Sequence, residues 1–466
     1  MKINFQKIGV NKYRLERQQG MQAEVIFYAK ESLLPQITQD LALKQLLEAA
    51  SLPGVVSPVI GMPDIHEGFG LPIGGVMATD GLISAGAVGM DINCGVRLLT
   101  SRINYEKKVF TPQFLSYLSH QIEKNIPIGL GGKRKEKISL ELERITKEGV
   151  TYLVKKGYAL KADLKVIEES GRFKEANFEA LSERAKKRAL KQLGSLGSGN
   201  HFIEIQKVTE IYDPALATAF GLFNQQICLM VHSGSRALGH QTCLDYTDLF
   251  WRLAPKYQLK LPTKGLAALP ITTKEGQAYF GAMAAAVNFA FCNRSLITYY
   301  LRQIFKKEFG NELKLLYDLA HNIAKWEIHK GKNLLVHRKG ATRALPANHQ
   351  QNPKKYQATG HPAIIPGSMG TPSYIMVGLA ANSETFDSIN HGAGRAMSRT
   401  EAKKRIKLED FKKQMEKVIY NQPFPRIADE APQAYKNITE VIETLVEAGL
   451  TKKVAKLMPL AVIKGA

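Results

Sequence analysis

Glycine-rich passages recur along the chain and restrict what it can fold into. They occupy Gly54 to Arg97, the residues that follow Gly194, and two later stretches at 364–378 and 390–399. Glycine permits tight turns and close backbone approach, and short apolar runs lie between the glycines. This pattern predicts short strands joined by tight loops in these parts of the chain.

Apolar spacing predicts helices and strands between these passages. A helix is predicted at about 40–52, because its leucines follow helical spacing and Leu52-Pro53-Gly54 ends it. A second helix is predicted over 312–331, where apolar side chains again recur at helical spacing up to Gly331. Residues 96–100 are predicted to form a strand, and residues 334–346 a strand followed by a loop.

Two further regions are predicted to be mainly helical. The first, at about 131–192, is a basic insertion that includes Lys133–Lys135 and Arg184–Arg188. Its charges predict either a solvated helical face or an arm that binds nucleic-acid backbone. The second covers about 400–458. We find no internal repeat, low-complexity segment or sharp boundary, so residues 1–466 are predicted to form a single domain.

The charge balance indicates a polyanionic substrate or partner. The chain has 64 Lys plus Arg against 42 Asp plus Glu, a formal net charge of +22. Its hydrophobic fraction of 44% and charged fraction of 23% are those of an ordinary globular protein, which excludes disorder as the main state. Charge alone does not distinguish DNA, RNA, the ribosome or an anionic membrane as the partner.

Cysteine usage and apolar patterning predict a cytoplasmic location. The four cysteines are far apart and form no C-x-x-C pair, which argues against a zinc ribbon and a disulfide framework. No run of about 18 apolar residues predicts a membrane span, and the charged first residues lack the apolar centre of a secretory signal.

Histidines beside small-residue loops are the strongest chemical signal. Of the eleven histidines, His201, His232, His337 and His391 all have this context. A single such histidine is usually structural, but repetition favours metal ligation or nucleophilic attack by neutral imidazole. The density of basic residues around His337, in the sequence HRKGATRA, suits phosphate oxygens better than a folded core.

Asp91 and Cys94 supply a carboxylate and a thiol on one tight turn. Together with histidines from elsewhere they predict a site for divalent cations, in which the sulfur bridges two ions. A buried, inert Cys94 beside a turn-capping Asp91 is the alternative interpretation. Ligand chemistry alone favours zinc, with manganese, cobalt or iron as alternatives.

Other motifs suggest contacts to a nucleotide. The sequence has no P-loop, so phosphates must be held by other glycine-rich loops, by metal and by basic side chains. PGSMGTPS around Ser368 is a candidate phosphate or base cradle, with a simple β-turn as the alternative. His391 precedes Arg395 by four residues, a spacing that suits a nucleophile with a guanidinium on the transferring phosphate. Asp64-Ile65-His66-Glu67 is a candidate substrate contact or support for the site.

These motifs resemble, in order and over nearly the whole chain, the RtcB family of RNA-splicing ligases. The resemblance runs through MPDIHEGFGLPIGGV, DINCGVR, GSLGSGNHF, VHSGSR, HRKGATRA, IPGSMGT and HGAGR to the terminal AVIKG. It implies an α/β (α+β) fold with a central β-rich core, glycine-rich active-site loops and peripheral helices. It also implies ligation of RNA 3′-phosphate or 2′,3′-cyclic phosphate ends to 5′-hydroxyl ends, with GTP and two manganese ions.

The resemblance assigns roles residue by residue. The metal ligands it implies are Asp91, Cys94, His201, His232 and His321. His391 resembles the nucleophile that takes GMP from GTP. The guanylate-binding residues it implies are Asn200, Glu204, His321, Asn322, Ser368, Met369, Ser373, His391, Gly392, Ala393, Gly394, Tyr435 and Lys464. The implied contacts to phosphate or RNA are Lys339, Arg395, Asn322 and Asp64.

The resemblance also bears on partners and on departures from the family pattern. It implies a monomer that acts on tRNA halves or cleaved RNA ends in tRNA splicing or RNA repair, with an archease-type activator as a candidate partner and no membrane. The loop at 345–361 departs from the pattern, and its His349 and His361 are predicted to be surface residues.

Two other classes of function compete with ligation. A metal-dependent phosphoesterase acting on nucleic acid would use the same cluster to activate water, but it gives His391 and Lys464 no role. A structural metalloprotein that binds RNA without chemistry would explain the charge and the cluster, but not the nucleotide-binding loops.

Overall fold

The computed structural model describes residues 3–129 and 139–465 of the chain. It has a mixed α/β fold, which confirms the predicted class. The strands are β1 Phe5–Gly9, β2 Lys12–Leu15, β3 Val25–Tyr28, β4 Val55–His66, β5 Ile73–Thr79, β6 Leu82–Ser84, β7 Gly95–Asn104, β8 Phe202–Ile211, β9 Gln226–Ser233, β10 Ala268–Pro270, β11 Lys314–Ala320, β12 Asn322–His329, β13 Lys332–Lys339, β14 Ala341–Arg343, β15 Ala363–Ile365, β16 Ser373–Gly378, β17 Ser388–Asn390, β18 Ile419–Tyr420 and β19 Thr451–Lys464.

Helices surround and separate the sheets. They are α1 Leu34–Gln39, α2 Ala42–Ala50, α3 Ala85–Val88, α4 Pro112–Asn125, α5 Leu142–Glu148, α6 Val150–Lys155, α7 Glu183–Leu190, α8 Pro214–Phe220, α9 Arg236–Leu253, α10 Lys274–Phe309, α11 Arg399–Arg405, α12 Leu408–Gln414, α13 Phe424–Ile427 and α14 Ile438–Glu447. Short 3-10 turns include Asp163–Val166, Glu168–Gly171 and Lys354–Tyr356. The helix predicted at 40–52 is α2, and the strand predicted at 96–100 lies within β7.

Two large sheets carry the active-site segments. The first has the strand order β1-β2-β3-β4-β5-β13-β12, and the second has the order β11-β7-β9-β8-β19-β16-β15, with β18 beside β19. An apolar cluster that includes Tyr28 and Ile60 of the first sheet and Tyr374 and Met376 of the second packs between them. The chain crosses from the second sheet to the first between β11 and β12, at His321.

Helix α10 is the centre of the largest core. It spans 36 residues and packs against α4, α5, α6 and α9. The hydroxyl of Thr273 caps its first turn by accepting from Gly276 N at 3.0 Å, and Gly310 in the left-handed conformation ends it. By length and composition α10 could cross a membrane, but its most apolar window is entirely buried in the protein. The helix therefore serves as packing for the surrounding elements.

The helix predicted over 312–331 was wrong, because this segment forms β11 and β12. The apolar residues do have helical spacing, but the polar residues between them are buried as well. Asp318 accepts from Arg97 and Arg294 in the core, and Lys325 pairs with Glu168 at 3.0 Å. A segment buried on both faces loses the alternation that identifies a strand.

The helical region predicted at about 400–458 was partly wrong. Helices α11 to α14 occupy it as far as Glu447, but residues 451–464 form β19, which pairs with β8 and β16. Residues 139–192 contain α5, α6 and α7, whose Ile145, Val150 and Ala185 are fully buried in the core around α10. The basic run at 133–135 lies outside the described residues.

Candidate metal centre and active site

Strand register brings the predicted ligands to one end of the second sheet. Gly95 pairs with both Ser233 and Ala320, and Phe202 pairs with His232. Cys94, His201 and His321 directly adjoin these paired residues along the chain. Ligands that are far apart in sequence therefore converge because four strands begin or end at the same edge.

Asp91, Cys94 and His201 form a compact cluster whose potential ligand atoms all lie within 4.8 Å of one another. Asp91 Oδ2 lies 2.7 Å from His201 Nε2. Cys94 Sγ lies 3.6 Å from His201 Nε2 and 3.2 Å from His232 Nε2. The thiol thus lies between the two imidazoles, where a ligand that bridges two metal ions would have to lie.

His321 extends this cluster towards the first sheet. Its backbone N–H donates to Cys94 O at 2.7 Å, and its ring centroid lies 5.6 Å from that of His232. Its Nδ1 lies 2.9 Å from Thr342 Oγ1. This contact fixes the orientation of the ring through Nδ1 and leaves Nε2 free to face the cluster. Metal-binding histidines are commonly held in this way, through the ring nitrogen that does not bind the metal.

The ionised carboxylate and the two neutral imidazoles of the cluster suit a divalent cation, whereas the thiol would have to lose its proton to bind one. Burial lowers the pKa of both His232 and His321 well below the usual range, so both rings are neutral and offer lone pairs. Burial alone would raise the pKa of Asp91, but nearby His201 and Arg236 outweigh it and lower the pKa to about 2. Burial, together with the Asp91 charge, raises the pKa of the Cys94 thiol well above its usual value.

Unsatisfied atoms point to the same conclusion. Asp91 Oδ1 and His321 Nε2 are buried and have no hydrogen-bond partner among the described residues. Buried polar atoms are normally paired, and a carboxylate, a thiol and imidazoles are the donor set of a transition-metal site. The residues present therefore fit bound divalent cations.

His391 lies beside this cluster and is held by a buried carboxylate. Its ring centroid is 5.3 Å from that of His321. Asp64 Oδ2 accepts from His391 Nδ1 at 2.7 Å, from His391 N at 3.0 Å and from Gly392 N at 3.2 Å. Asp64 is fully buried, so its predicted contact with phosphate or RNA was wrong. It orients the imidazole and leaves Nε2 as the available nitrogen.

Glycines allow this arrangement because a side chain would collide with it. A β-carbon on Gly394, which has φ of +71°, would lie 2.0 Å from Asp64 O. A β-carbon on Gly340, with φ of +61°, would lie 3.1 Å from His391 Cε1. Both positions combine a left-handed backbone with close approach, which only glycine tolerates.

Two adjoining cavities meet at His391. The larger, about 730 Å³, is lined by residues that include Asn200, Gly392, Ala393, Gly394, Arg395 and Tyr435. The smaller, about 360 Å³, is lined by residues that include Asp91, Cys94, His201, His321, Asn322 and Lys339. His391, His232 and Asn200 line both. The predicted nucleophile therefore lies between a nucleotide-sized cavity and the cluster of predicted metal ligands.

Several predicted guanylate contacts gather beside the larger cavity. Gln206 Nε2 donates to Glu204 Oε2 at 2.6 Å and to Ser373 Oγ at 3.0 Å. Lys464 Nζ donates to Gly199 O at 2.9 Å, and Tyr435 donates to Asn200 Oδ1 at 3.3 Å. Glu204 Oε1 is buried without a partner among the described residues, and burial raises the pKa of this carboxyl group to about 8.

Ser368 and Met369 do not line either of these two cavities. Ser368 Oγ pairs with Thr371 Oγ1 at 2.9 Å within its own turn, and Met369 packs into the largest core. Pro366 and Gly367 of the same loop do line the larger cavity, so the loop at 366–372 combines a local turn with part of the cavity wall. The guanylate contacts of Ser368 and Met369 stay predictions.

The predicted phosphate contacts divide between the cavities and the core. Lys339, which lines the smaller cavity, donates to Gly86 O at 3.1 Å, and burial lowers the pKa of its amine to about 8. Asn322 lines the same cavity and donates to Asp91 O at 2.9 Å. Arg395 lines the larger cavity, while its guanidinium donates to Asp429 O at 2.7 Å.

The expectation that the other basic residues of HRKGATRA meet phosphate was wrong. Arg338 is fully buried and forms paired hydrogen bonds with Glu327 at 2.6 and 2.8 Å. Arg343 faces Glu168 at 3.4 Å, and His337 accepts from Ser84 N at 3.2 Å. Buried carboxylates from distant segments compensate these charges.

The prediction of a surface position for His361 was also wrong. This residue is buried, and its ring stacks on Tyr317 with centroids 4.9 Å apart. His349 is half-buried, with its Nε2 3.9 Å from Asp387 Oδ2. The loop at 345–361 therefore packs onto β11 through His361.

The motifs contained further site residues that sequence reasoning missed. Arg236, in the SGSR motif, donates to His201 Nδ1 at 3.1 Å. Arg399, which follows HGAGR by four residues, lines both cavities and pairs with Glu430 at 2.6 Å. The arginines in or shortly after the motifs of His232 and His391 were the available signal, because basic side chains favour sites that hold phosphate. Nothing in the sequence indicated Thr342, whose role depends on the fold.

Comparison with known proteins gives one consistent result. The sequence model of a family described as tRNA-splicing ligase RtcB matches residues 45–465. A tRNA-splicing ligase RtcB of Methanococcus maripaludis is 44% identical over 100% of both chains. One of Archaeoglobus fulgidus is 43% identical over 96% of this chain and 95% of its own. An RNA-splicing ligase RtcB of Mycobacterium tuberculosis is 41% identical over 90% of this chain and 100% of its own.

Proposed function

The chain belongs to the RtcB family of tRNA-splicing ligases and is an RNA ligase; from this premise we propose that it joins RNA 3′-phosphate or 2′,3′-cyclic phosphate ends to 5′-hydroxyl ends. The reaction uses GTP and two manganese ions and passes through GMP bound to His391. The substrates are cleaved RNAs, including tRNA halves, in the cytoplasm.

The position of His391 between the two cavities carries this proposal. A group that transfers GMP must reach both a bound nucleotide and a site where charge on phosphate is neutralised. His391 lines both cavities, and its Nδ1 is held by Asp64 at 2.7 Å. With Nδ1 protonated and bound, Nε2 carries the lone pair that attacks phosphorus.

The metal cluster adjoins the reacting centre. Asp91, Cys94 and His201 would hold one ion, and His232 and His321, with Cys94 shared, would hold the other. When bound, such ions neutralise charge on phosphate oxygens and lower the barrier to displacement. We propose manganese because the RtcB family uses it. The donor set alone would also suit zinc.

Transfer of GMP proceeds by two displacements at the α-phosphorus. Nε2 of His391 attacks the α-phosphorus of GTP, a nitrogen–phosphorus bond forms, and pyrophosphate leaves. An oxygen of the RNA 3′-phosphate then attacks the same phosphorus, and the histidine nitrogen leaves with its lone pair. A cyclic phosphate end is first opened by water to give the 3′-phosphate.

Sealing completes the cycle. The 5′-hydroxyl oxygen attacks the activated 3′-phosphorus and displaces GMP, and the hydroxyl proton passes to water. Lys339 lines the smaller cavity and Arg399 lines both, and we assign to both the stabilisation of phosphate charge. The side chain of Asp64 keeps the imidazole in one orientation through all steps.

A phosphoesterase acting on nucleic acid is the second candidate, favoured by the metal cluster alone. It requires neither a nucleotide cavity nor a histidine fixed beside it.

The test mixes one RNA that ends in a 3′-phosphate or a 2′,3′-cyclic phosphate with another that begins with a 5′-hydroxyl. With manganese and GTP we expect joined RNA, and without GTP no joined RNA. A joined product that forms equally without GTP, or hydrolysis with no joining under any condition, contradicts the proposal.

A further inference from the structure

A further large cavity, separate from the two that meet at His391, lies far from the cluster of predicted metal ligands. Its volume is about 640 Å³, and it is lined by residues 157–166, the end of α10 and the start of β11. We call it the lateral groove. Lys314 at the start of β11 lines it, whereas His321 directly follows the end of that strand. At about 3.3 Å per residue, the groove lies about 20 Å from the cluster.

Aromatic and apolar side chains form part of the lateral groove. The rings of Tyr158 and Tyr299 pack edge to face with centroids 5.1 Å apart. Leu160 also lines the groove and is 53% exposed. Both tyrosines are half-buried and line the groove, and the part of an aromatic ring that a groove leaves accessible can stack on a nucleobase.

Basic side chains line the same groove. Lys165, Lys306, Lys314 and Lys355 line the groove together with Arg302, against the acidic residues Asp163 and Glu312.

Only part of this charge is compensated. Asp163 accepts from Arg302 at 2.6 and 2.8 Å, so this pair is neutral. The four lysines have no ion pair within the described part of the chain. Burial lowers the pKa of Lys355, and the charge of Lys314 contributes. Two neighbouring ammonium groups without a carboxylate partner favour a bound anion.

We propose that the lateral groove binds a single-stranded segment of the RNA substrate, with a base against Tyr158 and Tyr299 and phosphates on Lys314 and Lys355. This inference rests on the proposed ligase function and extends it. The groove holds the RNA body at a distance from the ends being joined. Stacking with backbone cations gives binding that does not depend on sequence, as a ligase acting on varied cleaved RNAs requires.

The combination of rings and lysines selects this occupant. A purely apolar ligand would leave the lysine charges unpaired, and a free anion would leave the rings unused. Single-stranded RNA supplies both a base and phosphates at neighbouring positions.

The first experiment compares two double variants. Lys314→Gln/Lys355→Gln removes two charges from the groove. Lys260→Gln/Lys274→Gln removes two exposed charges outside the groove, Lys274 being at the opposite end of α10. Affinity for a fluorescent single-stranded RNA, long enough to reach from the active site to the groove, is measured by anisotropy at several salt concentrations.

We expect the groove variant to bind this RNA on the order of tenfold more weakly. The slope of log affinity against log salt should fall by about 1.4, that is about 0.7 for each of two phosphate contacts. The control variant should bind as the wild type does. Joining of RNAs too short to reach the groove should be unchanged in both variants, which also shows that the active site is intact.

A second experiment locates the RNA directly. RNA containing 4-thiouridine away from its ends is irradiated with the wild-type protein, and cross-linked peptides are identified by mass spectrometry. Cross-links to the peptides that carry Tyr158 or Tyr299 support the inference. Equal affinity of the wild type and the groove variant, or displacement of the RNA from the groove by polyglutamate at constant ionic strength, overturns it. A wild-type protein that joins no RNA refutes the proposed function itself.

Discussion

Replacing Asp64 with asparagine removes the charge behind His391 and keeps the side-chain shape. Asp64 Oδ2 accepts from His391 Nδ1, His391 N and Gly392 N. The two backbone N–H groups still require an acceptor, so the asparagine oxygen should take this position. The amide NH₂ then occupies the place of Oδ1, which is buried without a hydrogen-bond partner among the described residues.

The magnitude follows from these contacts. A hydrogen bond to a charged group contributes about 1.5–3 kcal/mol and a neutral one about 0.5–1.5 kcal/mol, so the bond to the imidazole weakens by about 1–2 kcal/mol. The unpaired amide lowers the free energy of unfolding by about 1–3 kcal/mol. Neutralising the carboxylate that orients a catalytic histidine in a Ser-His-Asp triad costs about 10⁴ in rate. We therefore expect covalent GMP transfer to His391 to slow by about 10²- to 10⁴-fold.

The assay separates this effect from unfolding. Single-turnover labelling with α-labelled GTP gives the rate, and urea denaturation gives the free energy of unfolding. Asp80→Asn, at an exposed aspartate on the turn between β5 and β6, serves as the control. A folded Asp64→Asn protein that is labelled as fast as the wild type would refute the orienting role of Asp64.

Three further outcomes are expected. Burial raises the pKa of Glu204 to about 8, and in the proposed guanylate contact its ionised form accepts from guanine N–H donors. GTP affinity measured by calorimetry should therefore rise about tenfold per pH unit up to about pH 8 and then level off; a Glu204→Gln protein that keeps this pH dependence contradicts the assignment. Thr342→Val should weaken manganese binding by about 10- to 100-fold by freeing the His321 ring, and unchanged binding in calorimetry argues against that support. Arg338→Met should lower the free energy of unfolding in urea by about 3–5 kcal/mol, because Glu327 loses its buried partner. A negligible change would mean that other residues compensate the charge of Glu327.

The chemistry of the candidate site could be predicted from sequence better than the fold around it. Cys94, His201 and His391 stood out because their residue types are rare beside glycine-rich loops, and the structure does bring them together. The strands β11 and β12 could not be recognised, because burial of polar residues such as Asp318 on both faces removes the alternating pattern.

Long-range pairing explains the remaining errors. Arg338 was predicted to contact phosphate because its actual partner, Glu327, could not be recognised. Glu327 belongs to the segment that was predicted to be a helix. The role of Asp64 was hidden for a similar reason, since 327 residues separate it from the histidine it holds. A buried charge can be interpreted only when the fold shows what compensates it.

Trapping the enzyme-bound nucleotide tests the central claim most directly. The protein is incubated with manganese and α-labelled GTP without RNA, denatured, and digested for mass spectrometry. We predict one GMP per chain on the peptide that contains His391, bound by a linkage that is labile in acid and stable in base. His391→Ala should show no label. Full labelling of that variant, or GMP found on another residue, would contradict the account.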